Sequence, residues 1–185
     1  MAEYRLNAPL SAEDTAMLRA GDMVLLSGTI YTARDAAHKK LDELLDAGVD
    51  PPFPLQGAVI YYVGPTPAPP DRPIGSAGPT TSYRMDSFAP RLHSLGVRAT
   101  IGKGKRGEAV KQALKDHSCV YLGATGGAGA LLSVRINAAR PIAFEELGPE
   151  AIRQLTVTDL PLLVINDSVG GDLYAKPDLA AAGVE

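Results

Sequence analysis

One cysteine, no tryptophan and three histidines are all that this chain of 185 residues holds of those residue types. The lone Cys119 excludes an internal disulfide, a CxxC redox pair and any metal cluster held by several cysteines of this chain. His38, His93 and His117 are too scattered to read as a metal site. Long apolar runs are missing too: PLLVI at 161–165 falls far short of the roughly 20 residues a bilayer requires, so no membrane span is expected. The N-terminus MAEYRLNAPL lacks the basic and apolar regions of a secretory signal, which predicts a cytoplasmic protein. Basic excess is absent as well. A net charge of −3, a pI near 5.6 and few aromatic residues argue against nucleic acid as a partner, so any anion site must be built locally.

The composition is that of an ordinary globular chain, 45% hydrophobic and 21% charged. Its length suits one domain over residues 1–185, with AKPDLAAAGVE at 175–185 as a loose tail. Along the chain, SAEDTAMLRAGD reads as a short helix with Ser11 as its N-cap, and DMVLLSG as a buried strand over 22–28. TIYTARDAAHKKLDELLDAG then supplies a turn and a helix stopped by Gly48, and GAVIYYVG a strand over 57–64. Six prolines between residues 65 and 79 mark a long extended loop. Beyond it, Met85, Phe88, Leu92 and Leu95 share a helical face that Pro90 interrupts. VRATIG predicts a strand, EAVKQALKDH a helix, SCVYLGA a strand, TGGAGALLSVRI a glycine-opened helix, and PIAFEEL a strand followed by a short helix over 149–153. TVTDLPLLVINDS and GDLY complete the pattern as extended segments. Strands alternating with helices predict an α/β fold around a mixed, largely parallel central sheet.

Three cations stand where a helix disfavours them. Arg34 in TARDAAH, Arg84 in GPTTSYR and Lys103, with Lys105 close behind, in GKGKR each lie at or near a helix N-terminus. That end carries partial positive charge and unpaired N–H donors, and a cation there costs a few tenths to about 1 kcal/mol. Three such cases suggest an anion in the space they surround, because N–H groups, hydroxyls and guanidinium forks together bind carboxylate or phosphate strongly. The competing reading is that each cation faces water or pairs with a neighbour such as Asp35 or Asp86. In α/β sheets the turns leaving the carboxyl ends of the strands share one edge, so the three can converge. With hydroxyls from Thr80, Thr81 and Ser82, the set suits a small acid bearing two carboxylates.

Other candidates are weaker. GATGGAGALL follows a strand and opens a helix, yet reading Gly127 and Gly129 as the start of GxGxxG places Leu132 where the third glycine belongs, so packing is the expected use of these glycines. His38 falls one turn after Arg34 and can share its helix face, which makes it a candidate binding residue or a core histidine. Cys119, in mid-strand, reads as a small buried hydrophobe.

LSGTIYTARDAAHKKL, VGPTPAPP, IGSAGPTTSYRMD, IGKGKRGEAV and the GGAGALL helix, in this order, resemble the β subunit, or C-terminal domain, of class I fumarate hydratases and L(+)-tartrate dehydratases, from about residue 5 to Tyr174. The resemblance implies a swivelling β/β/α fold and a hydro-lyase active only with a partner: a cysteine-rich α subunit whose 4Fe–4S cluster is not carried by this chain. It implies Arg34, Arg84 and Lys103 as contacts to substrate carboxylates and Thr80 as a proton-transfer residue; Thr81, from the hydroxyl segment, and His38, from its spacing to Arg34, are further binding candidates. A free hydroxyl is a weak acid and base, so Thr80 needs neighbouring cations or a relay for that work. Tyr83 departs from the small residue expected at its place. Fumarate, tartrate and methyl-substituted fumarates all present the same two carboxylates, and a homodimer of αβ units is the implied assembly. A stand-alone dicarboxylate-binding or regulatory module is the alternative.

Overall fold

In the computed structural model, residues 1–124 and 129–175 are described. Strand β1 (Glu3–Ala8) leads into helix α1 (Ala12–Ala16), which opens on a capping box: the Asp14 N–H donates to Ser11 Oγ and the Ser11 N–H to Asp14 Oδ2. Strand β2 (Met23–Thr32) runs past the expected end at Gly28, because the β-prone TIYT keeps pairing with a distant strand. Helix α2 (Asp35–Asp46) follows and buries Ala37, His38 and Leu41. Strand β3 is shorter than expected, Val59–Tyr61.

The helix expected around Met85 divides in two. A 3-10 turn spans Ser82–Met85, and α3 (Ala89–Ser94) begins afresh with Pro90 in its first turn, where a missing N–H leaves no bond unmade. Met85 and Leu92 are buried, whereas Leu95 lies 43% exposed. Then come β4 (Ala99–Gly102), α4 (Glu108–Asp116), β5 (Val120–Gly123) and α5 (Gly129–Ser133). β6 (Ile136–Ala143) takes up residues the sequence pattern assigns partly to a helix, since they pair with β7 (Ile152–Asn166). The short helix expected over 149–153 is replaced by a 3-10 segment, Glu145–Glu150, kinked at Gly148, and Ile152 already belongs to β7. Most of the GATGGAG stretch and of the expected tail lies outside the described residues.

β1 to β5 lie side by side in parallel, each beside the next in sequence. β7 runs against them, pairing with β5 near its end and with β2 along most of its length, and β6 pairs antiparallel with β7. The pairings β2–β3–β4–β5–β7–β2 therefore form a closed ring, with β1 and β6 attached outside it. Alternation sorts the side chains. Val59, Tyr61, Ile101 and Leu122 meet Leu155 and Val164 in one cluster, and the intervening Ile60 and Tyr62 pack with Ala37 and Leu41 of α2 and Leu92 of α3. Tyr121 and Ile165 pack with Val110 and Leu114 of α4. Among the described residues, no helix is long and apolar enough to cross a membrane.

Two histidines lie in the helix-covered layers. His38 and His93 are each 1% exposed; their Nδ1–H groups donate to the carbonyls of Arg34 at 2.9 Å and Val97 at 2.8 Å. Because a carbonyl only accepts, this tautomer leaves Nε2 as an acceptor, buried and without a protein partner in both rings. Burial pushes each pKa down from 6.5 to about 4. The unfolded chain therefore binds protons that the folded chain refuses as pH falls from 6.5 towards 4. The stability is full above the upper value and is lost on acidification, by about 3 kcal/mol for each histidine. Urea unfolding at neutral pH and near pH 4.5, about two units below the ordinary histidine value of 6.5, measures most of the loss. The His38→Gln/His93→Gln variant should lose markedly less stability over the same interval.

Candidate anion-binding site

The carboxyl ends of β2, β3 and β4 are adjacent in the sheet, and the three cation-bearing turns leave from that edge. Arg34 follows β2 as the N-cap of α2, in extended backbone. Its Nη2 lies 3.4 Å from Asp35 Oδ2 and 3.5 Å from Glu150 Oε1, and its Nε is buried without a partner. Glu150 also caps α2, accepting the Ala36 N–H at 3.1 Å. The Arg34 side chain lies against the backbone at Gly64, just beyond β3: a Cβ there would stand 2.8 Å from Arg34 Nη1 and 3.2 Å from its Cδ.

The hydroxyl segment is held as an extra rung of the sheet. The Thr80 N–H donates to the Tyr62 carbonyl at 2.8 Å, Thr81 pairs in parallel with Lys103, and the Ser82 N–H donates to the Lys103 carbonyl at 2.9 Å. These bonds put Thr80, Thr81 and Lys103 side by side. Arg84 then reaches back, with Nη2 donating to Thr80 Oγ1 at 2.5 Å and Nε lying 3.4 Å from Asp35 Oδ1. Arg34, Asp35, Arg84 and Thr80 thus form one continuous polar chain. Lys103 and Lys105 are exposed and carry no ion pair among the described residues.

Beneath this surface sits a cation the sequence did not single out. Arg106 belongs to the basic turn, yet its side chain is fully buried. Its Nε donates to Asp86 Oδ1 at 2.7 Å and its Nη1 to Thr100 Oγ1 at 3.1 Å, and the guanidinium lies 5.3 Å from the Tyr62 ring and 4.9 Å from the Tyr121 ring. Asp86 Oδ2 also accepts the Gly107 N–H at 2.6 Å, so one carboxylate ties the Arg84 turn to the Lys103 turn. A second tie comes from β5. Tyr121 donates its hydroxyl proton to the Gly104 carbonyl at 3.0 Å, which leaves Ser82 Oγ to donate to Tyr121 Oη at 2.9 Å.

Gly102 lets these turns meet. A Cβ there would stand 2.0 Å from Ser82 Oγ and 3.0 Å from the Tyr62 ring. Gly102→Ala should therefore push the Thr80–Ser82 segment off β4, lowering stability by about 1–3 kcal/mol, the usual cost of overpacking. Anion affinity should fall by more than that loss of stability explains. Thermal unfolding and calorimetric titration of a saturated dicarboxylate check both parts.

The structure brings Arg34, Arg84, Lys103, Thr80 and Thr81 to one edge. It places His38 elsewhere: the ring lies under the first turn of α2, against Tyr62 at 5.4 Å and Phe88 at 5.8 Å. His38 does share a helix with Arg34, but its neighbours Ala37 and Leu41 mark the face turned to the core, a signal present in the sequence. Tyr83, 65% exposed, points outward. Asp35 and Asp86, the expected alternative partners, divide their roles: Asp35 is shared loosely by both site arginines and Asp86 belongs to Arg106. Gly64 and Glu150 were not singled out, and for Glu150 no local pattern could have done so.

Cys119 lies fully buried in front of β5, its thiol directed to the carbonyls of Val97 at 3.2 Å and His117 at 3.3 Å, and burial pushes its pKa up to about 11. Four-iron clusters are held by several thiolates, so the residues of this chain do not fit one. No group of His, Cys, Asp and Glu suited to a metal occurs among the described residues.

A cluster of two arginines and a lysine with threonine hydroxyls, set at the carboxyl edge of a closed α/β sheet, is the site these features define. The chain belongs to the fumarase C-terminus family, whose sequence profile matches residues 1–177. It is 38% identical over 184 residues to a protein assigned as L(+)-tartrate dehydratase subunit beta in Methanocaldococcus jannaschii, a match covering 94% of this chain and 92% of that protein. It is 42% identical over 153 residues to the anaerobic class I fumarate hydratase of Escherichia coli, and 40% identical over 158 residues to fumarate hydratase 2 of Leishmania major. Those matches cover 82% and 84% of this chain, which spans only 28% of the length of either enzyme.

Proposed function

We propose that this chain is the β subunit of a two-subunit hydro-lyase that adds water to fumarate, or removes it from tartrate, and that it supplies the carboxylate clamp and a proton-transfer hydroxyl. The observation that carries this reading is the convergence of Arg34, Arg84 and Lys103 on one sheet edge in a member of the fumarase C-terminus family. The near full-length likeness to a protein assigned as a dehydratase β subunit favours a separate subunit over a stand-alone binding module.

In this reading Arg34, Arg84 and Lys103 hold the two substrate carboxylates, and Thr81 lends its hydroxyl beside them. Removal of a proton from the carbon next to a carboxylate pushes negative charge onto that carboxylate. Cations already fixed at the site stabilise the charge as it forms. Thr80 Oγ1 accepts a hydrogen bond from Arg84 Nη2, which stabilises its alkoxide and makes the hydroxyl a better acid. Thr80 thereby gives the carbon-bound proton in hydration and takes it back in dehydration. His38 supports the clamp from below, through its bond to the Arg34 carbonyl, rather than touching substrate.

The 4Fe–4S cluster belongs, on this proposal, to a cysteine-rich α subunit, and two αβ units pair in the cytoplasm. The test is anaerobic co-expression with such a partner, followed by ultraviolet assays of fumarate hydration and tartrate dehydration, with each subunit alone as control. Activity confined to the mixture is expected, and the preferred acid decides between the two reactions. A chain that binds dicarboxylate by itself, and gains no activity from a cluster-loaded partner that co-purifies with it, would overturn the proposal.

A further inference from the structure

The anion clamp already contains an anion. Asp35 places one carboxylate oxygen 3.4 Å from Arg34 and the other 3.4 Å from Arg84, so it bridges the two guanidinium groups that the proposed function assigns to substrate carboxylates. Both contacts exceed the roughly 2.7–2.9 Å of a good charge-assisted hydrogen bond. The buried pair beneath them, Arg106 with Asp86, is closed to 2.7 Å. One ion pair in this region is thus tight and fixed, and the other is loose and 34% to 38% exposed at its Asp35–Arg84 half.

Asp35 is also the first residue of α2, where unpaired backbone N–H groups favour a carboxylate. When it leaves Arg84 it keeps a favourable place at the helix end. Arg84 keeps its own anchor, the bond from Nη2 to Thr80, and therefore stays in position with its Nε side open. Arg34 retains Glu150 in the same way.

We propose that Asp35 is a displaceable internal counter-ion, which occupies the clamp between Arg34 and Arg84 until a substrate carboxylate takes its place on Arg84. The inference rests on the clamp reading given above. Such a residue sets affinity: it holds two like charges together in the empty site and competes with substrate, which keeps binding from becoming too tight.

The test uses the assembled enzyme and succinate, a dicarboxylate with no double bond to hydrate. Removing the competitor in Asp35→Asn should tighten succinate binding about fivefold, the upper range for releasing a partly exposed ion pair. The KM for substrate should fall by a similar factor while kcat stays within about twofold, as expected for a change felt equally by ground and transition states. Asp35→Glu, which restores the carboxylate, should return affinity to that of the unaltered enzyme. Asp35→Ser, which keeps a polar group at the first helical position, carries the same test should the asparagine variant fold poorly. Arg84→Ala serves as the reference. If it loses succinate binding while the Asp35 variants bind equally or more weakly, the clamp stands and Asp35 is merely structural. If Arg84→Ala binds succinate unchanged, the clamp reading itself fails.

Discussion

Arg84→Ala should lower kcat/KM of the assembled enzyme by about a thousandfold, the scale seen when a preorganised donor to developing negative charge is removed. Two contacts disappear together. On the proposed function the substrate loses a guanidinium fork, and Thr80 loses the 2.5 Å hydrogen bond from Arg84 that would stabilise its alkoxide. Folding should hardly notice, because Arg84 is more than a third exposed and its ion pair with Asp35 is long. Loss of turnover with an unchanged melting temperature is therefore the expected signature. Arg84→Lys separates the two contacts: it keeps a charge but not the fork, so it should recover part of the binding and little of the rate. A thousandfold loss accompanied by an equally large fall in stability would instead assign Arg84 to the scaffold.

Asp86→Ala should have the opposite signature. It strips the partner from a guanidinium whose side chain has no exposure, and breaking a buried pair from one side costs about 3–5 kcal/mol. For a chain of this size that is a fall in melting temperature of about 6–20 °C. The Gly107 N–H also loses its acceptor, so the Lys103 turn loosens and activity falls as a consequence. Replacing both members, Asp86→Leu with Arg106→Met, should recover much of the lost stability, because the unpaired buried charge is then gone. Differential scanning calorimetry of the single and double variants measures the coupling directly.

The two variants separate what the sequence reveals from what it hides. Arg84 and Lys103 do not lie at helix starts: Arg84 sits in the 3-10 turn Ser82–Met85 and Lys103 directly follows β4, well ahead of α4. Arg34 was legible because a cation at a helix start violates a local electrostatic rule, and it is the N-cap of α2. The parallel strands were legible for a similar reason, since short apolar runs between amphipathic helices leave few other arrangements. Arg106 was hidden. In KGKRG nothing local distinguishes the buried arginine from the two exposed lysines, and only Tyr62, Tyr121 and Asp86, brought from three other elements, make its burial possible. The extension of β2 through Thr32 and the start of β6 at Ile136, ahead of the strand expected at PIAFEEL, were hidden for the same reason: both depend on pairing with β7, which no window of neighbouring residues contains. His38 was a different case. The sequence left a binding and a core reading open, and its buried neighbours Ala37 and Leu41 mark the core face on which the structure places it.

The closed ring has a consequence for the order in which the molecule can assemble during synthesis. The strands that carry Arg34, the Thr80 turn and Lys103 all leave the ribosome well before β7, yet β2 remains without one of its three partner strands until β7 arrives. Glu150, which caps α2 and braces Arg34, travels immediately ahead of that strand. A nascent chain halted before Ile152 therefore has its cations but neither the brace nor the closing strand. Pairings so distant in sequence form late and slowly. The cationic edge acquires its shape only as the last strand of the ring docks.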